Sequence, residues 1–553
     1  MQNSKKKLLT LLSVPFLALS LGGLSSCGQS GGPVDTDGLN VNVETKGITI
    51  NMWTGFGAAV NTTLSELLEE FQSLTQITVN YETKGGYTNL QTAINLSATN
   101  LSTLPQLANG YPDHFAGYIS SNIQLRLDGI IANDANRNIQ EPGAYTNSLG
   151  ETVTTLPHLD YNGFYSDYKT ENQNLEFKAD GTGYVLGLPF NKSTEVMVYN
   201  KQLIDWCASE AGQAKLTEWS IGAIAVPTTW AEVKSVGLNL RALLNHTDGT
   251  RTIFKNYLGS DGVIYGSSTM PTGVTIVFDG HNITDMAQFR PFSYDSTENL
   301  FTTLIRQFGG TLTQIDTTKT GKGYVNFNDD SNRQVTLDAM DMLKDLWDNQ
   351  VIGIASTPWE DSTGFCSAAF KAGKSIMNVG SSAGLTNITG AFDVGVAPIP
   401  FKDAEHKFVL SQGTNLALFQ VDMNDPQREA KLVAAWKLMV FLTQVENGAF
   451  AAGSGYYPTG DAAANSEAYQ EWLNNTAGQS ATDKANKAAG KLNNEVYNGA
   501  DAHWTKFVDP GFRGSSDIRA QAGLAAGYIF NNTYGSIQAM LDAIYTVLVD
   551  YKR

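Results

Sequence analysis

The sequence contains few charged residues, and those it has are mostly acidic. Only 16% of its 553 residues are Asp, Glu, Lys or Arg, and 54 acidic against 37 basic residues give a formal net charge of −17. Proteins that bind nucleic acid need clusters of Lys and Arg, because neutralising the phosphate backbone drives that binding. The charge balance therefore argues against a nucleic-acid partner, and we interpret the acidity as a solvated surface.

Cysteine and histidine are also scarce. Apart from Cys27 the chain has only Cys207 and Cys366, which are too few for a disulfide framework. We expect two buried thiols, although a single bridge between them stays open. The six histidines stand far apart and no pair has metal-binding spacing, so we predict no metal site and no cofactor.

Motifs for nucleotide binding and nucleophilic catalysis are missing. Gly373-Lys374-Ser375 matches the end of a phosphate-binding loop, but Ala368 stands where the earlier glycine is required, and a helix is predicted before it in place of a strand. The sequence has no Gly-x-Ser-x-Gly nucleophile elbow. Glycoside hydrolysis needs only two carboxylates at a set separation in space, so that class stays open. We predict a protein that is not an enzyme and keep a secreted carbohydrate-active hydrolase as the alternative.

Long hydrophobic runs are absent after the amino terminus. The first residues combine Lys5, Lys6 and Lys7 with an interrupted apolar stretch over residues 8–21, which is typical of a secretion signal and short of the roughly 20 apolar residues of a transmembrane helix. The following Leu24-Ser25-Ser26-Cys27 resembles the lipobox of bacterial lipoproteins.

The lipobox resemblance implies cleavage before Cys27 and attachment of lipid to its thiol and to the new amino terminus. Residues 1–27 are then the lipoprotein signal peptide and lipobox, and the mature protein is anchored on the extracytoplasmic face of the bacterial plasma membrane. A soluble secreted protein with a free amino-terminal cysteine is the alternative.

Strand and helix patterns alternate once the folded region begins. Residues 28–46 are rich in Gly, Ser and Asp and predict a flexible tether. Residues 48–53 alternate like a strand, Thr63 with Glu66 predicts a capping box, and residues 77–81 predict a second strand. This alternation indicates an α/β fold with a parallel sheet. The intervening helix has one apolar face, made of Leu64, Leu67, Leu68 and Phe71.

The middle of the chain predicts further elements of the same kind. Residues 184–189 and 195–199 predict two short strands, Pro227-Thr228-Thr229-Trp230 predicts the start of a helix, and residues 426–445 predict a long helix. Residues 461–503 are rich in Asn and Ala and predict a peripheral helical segment.

Aromatic residues are plentiful, with nine Trp, 22 Tyr and 25 Phe. Several lie beside Gly or at predicted strand ends, where open α/β sheets bind ligands. Rings in such places can stack on the faces of sugars or polyols, although packing in the core is the simpler explanation for any single one. The aromatic residues in such contexts are Trp53, Tyr87, Tyr111, Tyr294, Tyr456 and Tyr457.

Seven short segments in a fixed order resemble the family 1 extracellular solute-binding proteins of carbohydrate ABC importers. The resemblance extends from residue 48 to the end of the chain and is greatest to the glycerol-3-phosphate-binding branch. The segments are Lys84-Gly85-Gly86-Tyr87, Gly163-Phe164-Tyr165-Ser166-Asp167, residues 188–194 followed by Tyr199-Asn200-Lys201, Pro227-Thr228-Thr229-Trp230, residues 370–385, Gln412-Gly413-Thr414-Asn415 and Ser454-Gly455-Tyr456-Tyr457-Pro458-Thr459.

The resemblance implies an α/β, periplasmic-binding-protein-like fold in which two lobes with mixed or parallel sheets are joined by a hinge. The implied amino-terminal lobe is 47–190 plus 414–455, and the carboxy-terminal lobe is 191–413 plus 456–553. The implied function is capture of a sugar or a polyol phosphate of the glycerol 3-phosphate type by hinge closure, and delivery to membrane permease subunits. We expect a monomer. The rivals are a secreted glycoside hydrolase or esterase and an adhesin-like surface module.

The resemblance also implies a set of ligand-binding residues. The branch's ligand groups correspond by position to Tyr87, Ser193, Ser381, Gly413, Tyr456 and Arg513. Arg513 lies in a Gly-x-Arg pattern, and its guanidinium suits phosphate or carboxylate, although a surface or lobe-closing ion pair would explain it equally.

Two departures from the branch put glycerol 3-phosphate in doubt. Asp113 stands near the place of a glutamate that binds glycerol hydroxyls, but not in register, and Tyr294 stands in the place of one tryptophan of a pair. Asp113 and the neighbouring Asp295 suit sugar hydroxyls, so we extend the predicted site to Asp113, Tyr294 and Asp295 and leave the ligand within the carbohydrate and polyol class.

Overall fold

The computed structural model describes residues 34–316, 322–359, 364–390, 392–444, 446–498 and 503–549. The predicted lipobox and Cys27 lie outside these described residues. Strands and helices are mixed along the whole described chain. The strands are β1 (Thr49–Thr54), β2 (Thr78–Thr83), β3 (Leu107–Gly110), β4 (Gln140–Thr146), β5 (Thr152–Thr155), β6 (Leu188–Asn200), β7 (Tyr257–Gly259), β8 (Ile264–Tyr265), β9 (Ile276–Asp279), β10 (Phe292–Tyr294), β11 (Thr313–Ile315), β12 (Gly323–Val325), β13 (Ile352–Ile354), β14 (Met377–Ser381), β15 (Val394–Ala397), β16 (Phe408–Leu418) and β17 (Thr505–Phe507).

The helices surround the strands. They are α1 (Ala58–Thr75), α2 (Tyr87–Ser97), α3 (Pro112–Ser120), α4 (Asp128–Asn133), α5 (Ser166–Thr170), α6 (Lys201–Ala208), α7 (Glu210–Glu218), α8 (Trp230–Asn245), α9 (Thr297–Gln307), α10 (Arg333–Asp348), α11 (Ser367–Lys371), α12 (Arg428–Thr443), α13 (Glu446–Ser454), α14 (Asp461–Ala464), α15 (Glu467–Asn474), α16 (Ala481–Leu492), α17 (Ser515–Ala522), α18 (Leu524–Phe530) and α19 (Ile537–Leu548). None of them combines the length and the apolar composition that a helix needs to cross a bilayer.

The main sheet has parallel strands at each end and antiparallel strands in the middle. Its order is β13-β10-β14-β6-β16-β3-β1-β2, with β15 paired to β6 and β17 paired to β16. At one end β1 is parallel to both β2 and β3. At the other end β10 is parallel to both β13 and β14. The two parallel ends are the strand layers of two lobes.

Two long antiparallel strands connect the lobes. The first part of β6 pairs with β16, and its last part pairs with β14 and β15. Conversely, the last residues of β16 pair with β3 of the first lobe, and its first residues pair with β17. The ladder between β6 and β16 shifts register between Thr414 and Asn415. The chain therefore passes between the lobes inside a hydrogen-bonded ladder.

Each lobe has its own hydrophobic core. In the first lobe α1 and α12 pack on the β1–β3 end, and thirteen of the sixteen residues of α12 are buried. In the second lobe α8, α9 and α10 pack on the β10–β14 end. The predicted apolar face of α1 is buried, because Leu64, Leu67, Leu68 and Phe71 are each no more than 4% exposed. The predicted capping box at Thr63 was wrong, because the helix starts earlier, at Ala58 after Gly57.

Two segments make contacts that the predicted domain boundaries did not include. Part of the predicted tether lies on the first lobe: the Thr36 hydroxyl donates to the Arg126 carbonyl at 2.7 Å, and Thr45 is 3% exposed. Helices α14 and α15, which the prediction gave to the second lobe, pack near α13, where Tyr469 and Leu473 join Ala451 in one apolar cluster. These contacts place Thr36 against the first lobe and α15 beside α13.

Candidate functional site

A cavity of about 410 Å³ lies between the two lobes. Its walls come from the ends of parallel strands. In the first lobe Tyr87 follows β2 and Tyr111 follows β3, and in the second lobe Asp295 follows β10 and Ser381 ends β14. Because parallel strands end at the same edge of a sheet, each lobe presents its loops to one side, and those two sides face each other across the cavity.

The first lobe contributes a cluster of tyrosines, formed by Tyr87, Tyr111 and Tyr456. The rings of Tyr87 and Tyr111 lie 5.0 Å apart in an edge-to-face arrangement. The hydroxyls of Tyr87 and Tyr456 are 3.5 Å apart. Burial raises the pKa of Tyr87 well above its ordinary value, so its hydroxyl stays protonated. This wall of the cavity is therefore apolar in its body and hydroxylic at its tips.

The second lobe contributes hydroxyls and carboxyls. The Ser381 hydroxyl donates to the Ser193 hydroxyl at 3.4 Å, which joins β14 to the crossing strand β6. The carboxylate of Asp295 accepts a hydrogen bond from the Cys366 amide at 2.8 Å and lies directly over Gly380, where an added Cβ would meet its Oδ2 at 2.3 Å. These groups provide both donors and acceptors to a ligand.

Glu195 is the most deeply buried carboxyl of the cavity, at 1% exposure. Burial raises its pKa to about 7, although three hydrogen bonds oppose that rise. The Tyr294 hydroxyl donates to Oε2 and the Asn299 amide donates to Oε1 at 3.1 Å. A carboxyl with this pKa takes up or loses a proton near neutral pH, so its state is sensitive to a ligand that contacts it.

A single arginine, Arg519 on α17, contributes positive charge to the described lining of the cavity. Burial alone would lower its pKa, but the surrounding carboxylates outweigh that effect and raise the pKa above its ordinary value. Its guanidinium is 3.8 Å from the carboxylate of Glu298. The carboxylates that act on it are those of Asp113, Glu298 and Asp509.

A smaller pocket of about 70 Å³ adjoins the cavity and shares Tyr111, Gln412, Gly413 and Arg519 with it. Asp113 lines this smaller pocket, and its side chain is 10% exposed. The Oε1 atom of Gln412 is buried and accepts no hydrogen bond from the residues that the structure describes. The amide of Gln412 is thus available to a ligand that spans the two spaces.

The structure brings most of the predicted site residues together. Tyr294 and Arg513 are the exceptions. Tyr294 is completely buried, because it is the last residue of β10 and faces the core, and it reaches the site only through its hydrogen bond to Glu195. Arg513 is exposed in the loop before α17 and lines neither space. Asp113 lies in the adjoining pocket, and those that line the main cavity are Tyr87, Ser193, Asp295, Ser381, Gly413 and Tyr456.

The lining residues that the sequence analysis did not assign to the site include Glu195, Gln412 and Arg519. Glu195 lies two residues beyond Ser193 on the same strand, and Gln412 precedes Gly413 in a segment that was singled out, so their positions carried a signal. Arg519 carried none, since it lies outside the Gly-x-Arg pattern and only the turn of α17 brings it to the cavity. Tyr111 was named as an aromatic in a loop context, but not as a ligand residue.

No group of three or more His, Cys, Asp or Glu side chains is placed to hold a metal ion in the described ranges. Cys207 and Cys366 are both buried thiols, as predicted, and they lie in different apolar clusters. Burial raises the pKa of Cys207 to about 12, which makes it a poor nucleophile.

The family model described as bacterial extracellular solute-binding protein matches residues 66–477. No curated protein matches the chain in sequence. Among solved structures, the GacH receptor of Streptomyces glaucescens, determined unliganded and with acarbose, is 15% identical, with 91% of this chain and 99% of that chain covered at a TM-score of 0.56.

Two further solved structures are similar to the same extent. The cyclic alpha-maltosyl-1,6-maltose binding protein of Arthrobacter globiformis has a TM-score of 0.58, and UgpB from Mycobacterium tuberculosis, in complex with glycerophosphocholine, has a TM-score of 0.57. Each is 15% identical and covers 91% of this chain and 98% of its own. At this identity the likeness shows the fold alone, and it confirms the predicted two-lobed α/β architecture of the periplasmic-binding-protein type.

Proposed function

The chain belongs to the family of bacterial extracellular solute-binding proteins, and from that membership we propose that it captures a carbohydrate or polyol outside the cell and delivers it to the permease of an ABC importer. The observation that carries the proposal is the contrast between the two walls of the cavity. Tyrosine rings suit the C–H faces of a sugar, and the opposite hydroxyls and carboxyls suit its hydroxyl rim.

The charge of the cavity favours a neutral ligand over a phosphate. Two carboxyls, Glu195 and Asp295, line it against the single guanidinium of Arg519, which already interacts with neighbouring carboxylates. A phosphate would bring further negative charge beside those carboxyls, whereas sugar hydroxyls can donate to them. Similar proteins bind both kinds of solute, since one is named for a cyclic maltosyl-maltose and another holds glycerophosphocholine. We therefore propose a neutral sugar or polyol here.

The mechanism is closure of the two lobes on the solute. Ligand contacts from both lobes stabilise the closed arrangement relative to the open one, and the importer's membrane subunits recognise the closed form. No covalent bond changes. Specificity comes from the buried groups, because an analogue that lacks one hydroxyl leaves a group such as Asp295 or Gln412 without its ligand partner.

The test is a thermal-shift panel of maltotriose, glycerol 3-phosphate and glycerophosphocholine. A sugar at 100 times its Kd should stabilise the protein by about 2.7 kcal/mol. We expect a shift with the neutral sugar and none with glycerol 3-phosphate. The reverse pattern would contradict the neutral ligand, and turnover of a chromogenic glycoside would contradict a binding protein.

We further propose that Cys27 carries the lipid anchor and that the protein functions as a monomer at the outer face of the plasma membrane. The support is the lipobox pattern before Cys27 and the family's extracellular location. In cells, the protein should partition into the detergent phase of a Triton X-114 extract, and Cys27→Ser should move it to the aqueous phase. A wild-type protein found only in the aqueous phase would exclude the anchor.

A further inference from the structure

A chain of buried hydrogen bonds leads from the backbone to the tyrosine cluster. The Gly55 amide donates to Asn109 Oδ1 at 3.1 Å, and Asn109 Nδ2 donates to the Thr414 hydroxyl at 2.9 Å. The Thr414 hydroxyl donates to Asn191 Oδ1, and Asn191 Nδ2 donates to the Tyr87 hydroxyl oxygen at 3.3 Å. We call these four bonds the relay.

The direction of every hydrogen bond in the relay follows from the first bond, in which the Gly55 amide is the donor. A backbone N–H can only donate, so Asn109 must turn its oxygen to Gly55 and its NH₂ group to Thr414. The Thr414 hydroxyl accepts there and keeps one proton to give to Asn191, whose oxygen is thereby occupied. The NH₂ group of Asn191 is then the part of its amide that faces Tyr87.

The side chains of the relay are buried, so water cannot replace a hydrogen bond that a reversed amide would lose. Asn109, Asn191 and Thr414 are each 0% exposed. A flipped Asn109 would place its NH₂ group against the Gly55 amide, and a flipped Asn191 would remove the acceptor of the Thr414 proton. A buried polar group without a partner costs about 1–3 kcal/mol. The side chains come from β3, β6 and β16, so the relay joins both crossing strands to the edge of the cavity.

We infer that Tyr87 meets its ligand as a hydrogen-bond donor and that Asn191 is the positioning residue that imposes this role. The NH₂ group of Asn191 occupies the acceptor side of the phenolic oxygen, so its own proton is directed to Tyr456 or into the cavity. The matching ligand atom is an oxygen acceptor, such as a hydroxyl or a ring ether. A sugar with an ammonium group at that position would be rejected. This specificity rests on the proposed function.

Neutron diffraction from perdeuterated crystals of the unliganded protein tests the direction without any ligand. We expect two deuterons on the Asn191 atom that faces Tyr87 and the Tyr87 deuteron directed away from Asn191. A Tyr87 deuteron lying between the two residues would overturn the inference. This result does not depend on whether a sugar binds, so it separates a failure of the inference from a failure of the proposed function.

A binding experiment with maltotriose gives a second readout. In Asn191→Asp the new carboxylate only accepts, so it takes the Tyr87 proton, and the affinity should fall about tenfold, as it should in Tyr87→Phe. The double variant should be no weaker than either single one. Fully additive losses would overturn the inference. The matched control is Asn172→Asp, which places a carboxylate at another buried amide, bonded to Asn415 at 2.9 Å and apart from Tyr87, and should bind maltotriose normally.

Discussion

Two arginines six residues apart have opposite surroundings. Arg519 lines the cavity among carboxylates, whereas Arg513 is exposed in the preceding loop. Because a hydrogen bond to a charged group is worth about 1.5–3 kcal/mol, Arg519→Ala should weaken sugar binding at least tenfold. Arg513→Ala should change it by less than about twofold. Isothermal titration of both variants with the same sugar checks this, and a larger loss in Arg513→Ala would favour the original Gly-x-Arg assignment.

The buried carboxyl of Glu195 should make folding stability depend on pH. Its pKa rises from 4.5 to about 7 on folding, because burial penalises the charged form. Between those values the folded state holds a proton that the unfolded chain has lost. The contribution is therefore fully present below about pH 4.5 and decreases as pH rises to about 7, by about 3 kcal/mol in total.

Urea unfolding at a series of pH values measures this effect. Glu195→Gln cannot ionise, so its free energy of unfolding should fall less steeply than that of wild type between pH 4.5 and 7. Glu69→Gln, at an exposed position of α1, is the control and should follow wild type. Parallel curves for Glu195→Gln and wild type would show that the Glu195 pKa is not raised.

At single positions, sequence likeness located the site but not the direction of each side chain. Tyr294 and Asp295 are neighbours in one predicted segment, yet successive side chains of a strand point to opposite faces, so Tyr294 enters the core while Asp295 lines the cavity. A motif match cannot distinguish these faces when both neighbours are polar enough for a ligand. Arg519 was missed for a related reason, since its place depends on the packing of α17 and not on any local pattern.

Helix α8 shows how a local signal can fix an element completely. Its cap, Thr229, accepts from the Glu232 amide, and the Glu232 carboxylate accepts from the Thr229 amide at 3.1 Å, which is a full capping box. Thr229→Ala should cost about 1 kcal/mol of stability. Ser235→Ala, at an exposed interior position of the same helix, should cost less than about 0.5 kcal/mol in the same urea titration. Equal losses would contradict the capping role.

The crossing strand β6 shows where element prediction failed. The sequence predicted two short strands over 184–189 and 195–199, but the structure has one strand from Leu188 to Asn200. The residues between them, such as Asn191 and Lys192, are polar and look like a loop. They are nevertheless fully buried, because each has a partner elsewhere in the chain, and for Lys192 that partner is Glu171, which follows α5. Such partners are distant in sequence, so no local pattern reveals them.

At the scale of the whole molecule, solute binding should contract the protein. The cavity lies between lobes that are joined through β6 and β16, so closure on a sugar brings the lobes together. Small-angle scattering should show a smaller radius of gyration with maltotriose than without it. A sugar that gives no thermal shift is the control. An unchanged radius on binding would mean that the unliganded lobes are already closed.

The order of segments predicted the two-lobed fold better than any single motif did. Strands alternating with helices favour a parallel sheet, whereas the two lobes and the crossings between them were implied by the resemblance of the ordered segments to the solute-binding family. The exact residues at which each lobe begins and ends were less predictable. The stretch over 34–46 looked like a tether because small polar residues dominate it, yet its hydroxyls and amides bond to the first lobe, as Asn40 does to Glu429 at 2.8 Å.

Because paired strands connect the two lobes, the chain cannot be cut into one fragment per lobe without loss of strand pairing. Neither lobe is a continuous stretch of chain, and a continuous fragment that ends after β6 would keep that strand without β16, with which its first half pairs. The bare strand edge would then be open to pairing with other chains, which is the usual origin of aggregation in truncated sheets. Expressing such a fragment by itself should therefore yield insoluble material, whereas producing it together with the rest of the chain can restore the ladder.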